Sequence, residues 1–287
     1  SMGILIPPSI TLVVIGMMTS QSVGKLFAGG MTAGLFTVGC FVLYIIIRAW
    51  LQPDLCPSIG YKVSLREKII ATKGVILPFI IILAVLGVIF FGIATPTEAA
   101  SCGCVAVLLC VIIRGEFNWR FMKEAAYSTA ITTGMVIWIM FGASGFVAVY
   151  NGGGGVEFAQ KLLIGSGMNP WAILIFMMCV TFILGMFLDP MGIIMITLPI
   201  FYPVIVKLGF DPIWFGVLYQ LNLCVGYITP PFGYNLFYLK ALEPETDMGV
   251  IYKSMLPFIG IMILVMVIMI LVPEIITWLP SVMIANG

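Results

Sequence analysis

The chain has 287 residues, of which 62% are hydrophobic and 9% are charged, and its mean hydropathy is +1.19. A soluble domain of this size needs charge over most of its surface, so this composition indicates that lipid surrounds much of the chain. The absence of histidine excludes histidine metal sites, catalytic triads and proton relays, and a net charge of +1 gives no sign of nucleic-acid binding.

Long apolar runs predict an all-α integral membrane fold rather than an outer-membrane barrel, whose strands read as short alternating segments. A helix needs about 20 apolar residues to cross a bilayer, so segments 10–18, 171–184 and 193–206 are too short to span. The hydrophobic segments, in chain order, are 10–18, 26–47, 75–94, 99–113, 129–149, 171–184, 193–206, 213–239 and 256–272.

Segments 171–184 and 193–206 flank a turn that contains Gly185, Asp189 and Pro190. Two half-length helices around a polar tip with glycine and proline are typical of a re-entrant hairpin, which enters and leaves the membrane on one side. Segment 213–239 is long enough to span, but glycines and prolines interrupt it, and this pattern predicts a broken helix.

Basic residues test this topology. If the hairpin does not cross and the loop 48–73 is cytoplasmic, most lysines and arginines fall inside, as the positive-inside rule requires, and the C-terminus is periplasmic. A single crossing in place of the hairpin would reduce this asymmetry. The inside residues are Arg48, Lys62, Arg66, Lys68, Lys73, Arg114, Arg120, Lys123, Lys240 and Lys253, and the outside ones are Lys25, Lys161 and Lys207.

Two further segments have charge on one face and aliphatic residues on the other, so we expect them to lie along the membrane surface. Segment 64–73 would lie on the inner surface and segment 156–163 on the outer one. The four glycines at 152–155 lack the ending of a phosphate-binding loop and indicate a flexible hinge instead.

The form G-x-x-x-P-P occurs twice, from Gly3 to Pro8 and from Gly226 to Pro231. We call these segments the first and second Pro–Pro loops. Proline has no N–H group to donate, so each loop leaves backbone carbonyls without their helical donors. At bilayer depth such carbonyls must line a cavity or hold a cation. The alternative is that the prolines only kink a helix at the membrane interface. The topology sends the helices after the two loops in opposite directions, as an inverted repeat requires, and paired interrupted segments indicate a transporter's binding site.

Two acids near prolines are open to more than one interpretation. Asp189 is the one acid in the predicted hairpin tip, which makes it a candidate cation ligand, because an unpaired acid at membrane depth is costly. Asp189 before Pro190 is also a common helix N-cap pair. For Glu98, three residues after Thr95, a capping box is the simpler interpretation.

With these motifs in hand, the chain resembles the large membrane subunit of tripartite ATP-independent periplasmic (TRAP) transporters, specifically its C-terminal half. The likeness runs in family order over nearly the whole chain. It rests on residues 3–9, 94–100, 185–191 with Pro199, 211–216, and Asn222 with 228–237.

The resemblance implies an elevator-type ion transporter fold with inverted repeats, a re-entrant hairpin and broken helices. It also implies sodium (Na+) as the coupling ion, a small organic anion as substrate, and two partners: a small membrane subunit and a periplasmic substrate-binding protein. The expected parts are the transport-domain segments 1–48, 171–206 and 207–287, a cytoplasmic connector at 49–74, scaffold helices at 75–149 and an outer arm at 150–170.

By the same resemblance, one sodium site lies between the hairpin tip and the second Pro–Pro loop. Its residues are Gly185, Asp189, Gly226, Thr229 and Pro230. Half of a second sodium site is expected at Gly3, Ile6, Pro7 and Ser9, and substrate contacts are expected from Ser9, Asp189, Thr229 and Asn235. A first hairpin facing Gly3 is absent from the sequence, so we expect another polypeptide segment to close that loop.

Competing functions are an elevator carrier of divalent anions that needs no binding protein, an incomplete fragment that only assembles, and an intramembrane enzyme. Against the enzyme, the chain has no G-x-S-x-G motif, and intramembrane aspartyl chemistry needs two deep acids. We therefore expect a transport component of the bacterial inner membrane rather than an enzyme.

Overall fold

The computed structural model describes residues 2–53, 64–165 and 167–284, and the regular secondary structure of these ranges is entirely helical. The predicted all-α fold is therefore confirmed. After a 3₁₀ helix at Met2–Ile4, the helices are α1 (Ile10–Thr19), α2 (Val23–Leu51), α3 (Leu65–Phe90), α4 (Pro96–Ile113), α5 (Trp119–Gly152), α6 (Gly155–Ile164), α7 (Pro170–Gly185), α8 (Pro190–Lys207), α9 (Pro212–Gly226), α10 (Tyr234–Leu242), α11 (Met248–Leu271) and α12 (Glu274–Ile284).

Five of the described helices are long and apolar enough to cross a membrane: α2, α4, α5, α8 and α11. Large apolar side chains such as Ile46, Phe79 and Trp138 are exposed along the outer helices. A surface of this kind needs lipid or another protein against it. The chain is a multi-pass membrane protein, as its composition predicts.

Helices α7 and α8 form a helical hairpin around a short tip. Lys207, the last residue of α8, donates from Nζ to Oε1 of Gln160 in α6, at 3.0 Å. The end of α8 therefore returns to the side where α7 begins, so this segment is not a single crossing. However, α8 has 18 residues and is long enough to cross, so the expectation that it is too short is wrong. Re-entrance itself stays a prediction.

Capping residues set several helix ends. The predicted capping box is confirmed, since Glu98 Oε2 accepts from the Thr95 backbone N–H at 2.8 Å and Glu98 N donates to Thr95 Oγ1. A second capping box, between Ser64 and Glu67, begins α3. Helix α5 begins at Trp119, ten residues before the predicted segment 129–149. Its N-cap is Asn118, whose side chain accepts from the Arg120 N–H at 2.9 Å.

Other boundaries differ from the prediction. Segment 64–73 is the first part of α3 and continues directly into the apolar part, so its interpretation as a separate surface helix is wrong. A single glycine inside a helix costs only about 1 kcal/mol, so Gly74 does not break it. The outer segment at 156–163 does form its own helix, α6, after a turn at Gly154 with φ 73°. Helix α12, after the last predicted span, was not foreseen and packs along α2.

The buried core is centred on α9, in which every residue from Ile213 to Gly226 is buried. Helices α1, α2, α7, α8, α11 and α12 pack against it. By contrast, α3 and α4 pack mainly against each other, and most of their described side chains are exposed. An apolar cavity of about 780 Å³ separates α1 from α3, α4 and the start of α5.

Candidate functional site

The hairpin tip lies directly on the end of α9. Gly185 ends α7 and Gly226 ends α9, and a Cβ atom built on Gly226 would lie 2.9 Å from the backbone Cα and C atoms of Gly185. Real Cβ atoms do not approach a backbone so closely, so Gly226 requires glycine for this contact, and a Cβ atom on Gly185, 3.3 Å from Gly226 Cα, would be tight. Next to it, the rings of Phe187 and Phe232 meet edge to face, with centroids 5.9 Å apart. The structure thus brings together the two elements predicted to form the first sodium site.

Asp189 is the N-cap of α8. Its Oδ2 accepts from the Met191 N–H at 3.0 Å, which confirms the capping interpretation. Its side chain is exposed on the surface of the described chain. The role of Asp189 as a sodium or substrate ligand stays a prediction that rests on its position at the tip.

Some backbone carbonyls of the second Pro–Pro loop accept hydrogen bonds from nearby residues of the same segment. Since Pro231 has no N–H group, the Tyr227 carbonyl lacks its helical donor, and the Asn235 N–H donates to it instead, at 3.2 Å. Thr229 donates from Oγ1 to Val225 O at 2.7 Å, and its N–H donates to Gly226 O at 3.1 Å. Thr229, Pro230 and Asn235 are half-buried, which leaves them within reach of a ligand.

The first Pro–Pro loop is held by the rest of the chain. Pro8 cannot donate to the Ile4 carbonyl, which accepts instead from Ser9 Oγ, from Thr11 Oγ1 at 3.3 Å and from Gln220 Nε2 at 3.2 Å. Ser9 also caps α1 through the Leu12 N–H and is almost fully buried, so its hydroxyl is engaged in local structure.

Helix α2 packs tightly against the same loop. A Cβ atom built on Gly30 would lie 2.7 Å from Leu5 O, and one built on Gly34 would lie 2.4 Å from Cγ1 of Ile6. Helices α2 and α9 of the chain itself therefore face this loop, and its closure by another polypeptide segment stays a prediction. Gly3 differs from its counterpart Gly226, since a Cβ atom there would meet no atom of the described residues within 4 Å.

Sequence reasoning did not assign a role to the buried polar side chains of α9. Asn222 donates from Nδ2 to Met178 O at 2.8 Å and to Thr181 Oγ1 at 2.7 Å, both in α7. Tyr219 shares a 2.7 Å hydrogen bond with Thr197 of α8. These polar residues stand inside an otherwise apolar segment of the sequence, and this pattern could have indicated buried hydrogen bonds between helices.

The available donor atoms suit a hard cation. No cluster of three or more His, Cys, Asp and Glu that could hold a metal ion exists in the described ranges. The tip and loops offer backbone carbonyls, hydroxyls and the Asp189 carboxylate, which are the ligands that sodium takes at unwound membrane helices. In addition, Gln220 Oε1, Asn222 Oδ1 and Tyr227 Oη are buried without a hydrogen-bond partner among the described residues, as happens where water or an ion completes a site. The residues present therefore fit sodium.

Comparison with known proteins agrees with this architecture. The family described as "Tripartite ATP-independent periplasmic transporter, DctM component" matches residues 1–275. The chain belongs to this family. Membership in the DctM family confirms the resemblance found in the sequence, and it places the chain among transporter components of the bacterial inner membrane rather than among enzymes.

Individual DctM-family relatives carry different substrates in their names. The C4-dicarboxylate TRAP transporter large permease protein DctM of Vibrio cholerae is 32% identical, over 98% of this chain and 66% of its own length. The ectoine permease TeaC of Halomonas elongata is 32% identical over 94% of this chain and 63% of its own length. The sialic acid permease SiaM of Vibrio cholerae is 26% identical over 99% of this chain and 66% of its own length. The chain thus spans just under two thirds of the length of these relatives.

Proposed function

We propose that this chain forms the hairpin-bearing part of the membrane permease of a sodium-coupled TRAP transporter, which imports a small organic acid by an elevator mechanism. The observation that carries the proposal is the backbone contact between Gly185 and Gly226, which sets the hairpin tip on the second Pro–Pro loop. An interrupted helix facing a hairpin tip is the arrangement that creates an ion site within a membrane.

Sodium is the proposed coupling ion because the donor atoms are oxygens. At the tip and the second loop these belong to Gly185, Asp189, Gly226, Thr229 and Pro230, with the carbonyl groups as the main ligands. The first loop, with Gly3, Ile6, Pro7 and Ser9, would supply one wall of a second site. Bound sodium supplies positive charge where the described hairpin has no lysine or arginine except at its end.

The proposed substrate is a small organic acid that reaches the permease on a periplasmic binding protein. Names of the relatives include a C4-dicarboxylate, sialic acid and ectoine, so the substrate class within the family is broad. Of the predicted contacts, Asp189, Thr229 and Asn235 have accessible side chains, whereas Ser9 is engaged at the start of α1. The N-terminus of α10 next to these residues favours an anionic group.

The elevator mechanism is supported by how unevenly the helices pack. The hairpin, α1, α2, α9, α11 and α12 share one core, while α3 and α4 lie beside it across an apolar cavity of about 780 Å³. Such a boundary lets one body slide along another with few polar bonds to break. A small membrane subunit would brace the outer helices, and the C-terminus would be periplasmic. Family membership does not favour a carrier that works without a binding protein.

The test is uptake by the complete permease with its partner subunits in liposomes. A sodium gradient should drive uptake when a loaded binding protein is added, and an equal potassium gradient should not. Uptake that is equal under both gradients would contradict sodium coupling, and uptake without binding protein would favour the carrier alternative.

A further inference from the structure

Helix α9 connects three other elements through three buried polar side chains within about one turn. Tyr219 bonds to α8, Asn222 bonds to α7, and Gln220 bonds to the first Pro–Pro loop. All three side chains are at most 1% exposed. Buried hydrogen bonds of this kind hold a helix firmly, because breaking one leaves a polar group unpaired in an apolar core.

The Gln220 bond reaches a special carbonyl. Ile4 O is freed because Pro8 lacks an N–H group, and its other two donors, Ser9 and Thr11, come from the start of the neighbouring helix α1. Only Gln220, among the donors described for this oxygen, comes from a distant part of the chain, 216 residues away. The position of the first loop relative to α9 therefore depends on this bond and on the packing of α2.

The same helix ends at the second site. Gly226 lies six residues after Gln220, which is about 9 Å along a helix, and it contacts the backbone of Gly185 at the hairpin tip. If the first loop moves and shifts Gln220 along the helix axis, Gly226 therefore shifts with it against the hairpin tip. No flexible segment intervenes, because α9 is one uninterrupted, fully buried helix.

We infer that Gln220 is a positioning residue that couples the two cation sites, so that sodium binding at one Pro–Pro loop raises the affinity at the other. This inference rests on the proposed function. Ions at the first loop bind to carbonyls next to Ile4, which sets the position of the Gln220 amide and, through α9, the fit of Gly226 against the tip. Coupling of this kind is reciprocal and typically changes affinity about 5- to 150-fold.

The decisive measurement is the Hill coefficient for sodium in the complete permease with its partner subunits. Titration is followed by intrinsic tryptophan fluorescence, since Trp214 lies in α9, and by the thermal unfolding midpoint, so that neither readout depends on transport. Gln220→Met removes the bond while Ser9 and Thr11 still satisfy Ile4 O, so we expect it to fold. Wild type should show a Hill coefficient clearly above 1, and Gln220→Met should bring it close to 1.

Tyr219→Phe is the matched control, because it removes a buried hydrogen bond from the same turn of α9 without touching either loop. It should lower the unfolding midpoint and keep the wild-type Hill coefficient. Gln220→Asn, which keeps the amide but is one methylene shorter, should lose cooperativity like Gln220→Met and serves if that variant does not fold.

A wild-type Hill coefficient in Gln220→Met or Gln220→Asn would overturn the inference, and so would an equal loss in Tyr219→Phe. A wild type whose fluorescence and unfolding midpoint ignore sodium would instead overturn the proposed function, and the inference with it.

Discussion

Gly185 and Gly226 meet backbone to backbone, although 40 positions of the chain separate them. A Cβ atom on Gly226 would lie 2.9 Å from Gly185 Cα, and one on Gly185 would lie 3.3 Å from Gly226 Cα. The obstacle in each direction is main chain, which cannot rotate away as a side chain can. The contact therefore sets how closely the hairpin tip approaches the second Pro–Pro loop.

The first prediction is that Gly226→Ala separates the tip from the loop. The added methyl group should cost about 1–3 kcal/mol through overpacking, more than the gain in helix propensity. Sodium activation of uptake should weaken several-fold, and the thermal unfolding midpoint should fall. Gly260→Ala is the control, since Gly260 lies in α11 with nothing within 4 Å of its added Cβ atom. A Gly226→Ala permease with normal sodium activation would contradict the proposed site.

The second prediction separates the two roles of Asp189. Asparagine caps helices about as well as aspartate, so Asp189→Asn should leave the unfolding midpoint nearly unchanged. It removes the negative charge, so the half-saturating sodium concentration should rise about tenfold, which corresponds to about 1.4 kcal/mol. Both quantities can be read from one sodium titration of uptake and one thermal melt.

The control for Asp189→Asn is Asp211→Asn. Asp211 also precedes a proline and caps its helix, accepting from the Trp214 N–H at 2.7 Å, but it lies at the opposite end of α9 from Gly226. It should alter neither stability nor sodium affinity. Equal sodium curves for the two variants would leave Asp189 as a helix cap alone.

Local signals in the sequence predicted the helix ends that border the candidate site. Asp189 before Pro190 located the start of α8, and Pro230–Pro231 located the break between α9 and α10, because proline and short caps act within a few residues. The same locality explains why the Thr95–Glu98 capping box was predicted correctly.

Long-range relationships were not predictable in this way. Nothing near Ile4 indicates that its carbonyl bonds to Gln220, because the contact depends on how α9 packs in the folded core. The packing of α12 on α2 is another example, since no local feature of this 11-residue apolar helix indicates which helix it packs against. The exposure of Asp189 likewise depends on the tertiary structure around the tip.

The third prediction concerns topology. Because Lys207 reaches Gln160, both ends of the hairpin should lie on one side of the membrane, and the positive-inside rule predicts that this side is the periplasm. In a cysteine-free background, Met168→Cys and Lys207→Cys should both react with a membrane-impermeant maleimide added to whole spheroplasts. A cysteine at Lys68 should react only after the membrane is opened. Labelling of the first two from opposite sides would contradict the hairpin.

The fourth prediction concerns the contact between α2 and the first Pro–Pro loop. Gly30 lies against the Leu5 carbonyl oxygen, and a Cβ atom there would come within 2.7 Å of it. Gly30→Ala must therefore move the loop or the helix, which should cost about 1–3 kcal/mol and lower the thermal unfolding midpoint in detergent. Gly39 lies two to three turns further along the same helix, and a Cβ atom built on it would meet no atom of the described residues within 4 Å. Gly39→Ala should therefore raise the free energy of unfolding by about 0.5–1 kcal/mol. Opposite shifts for the two variants would show that the loop is clamped by α2, whereas a shift in the same direction would contradict the clamp.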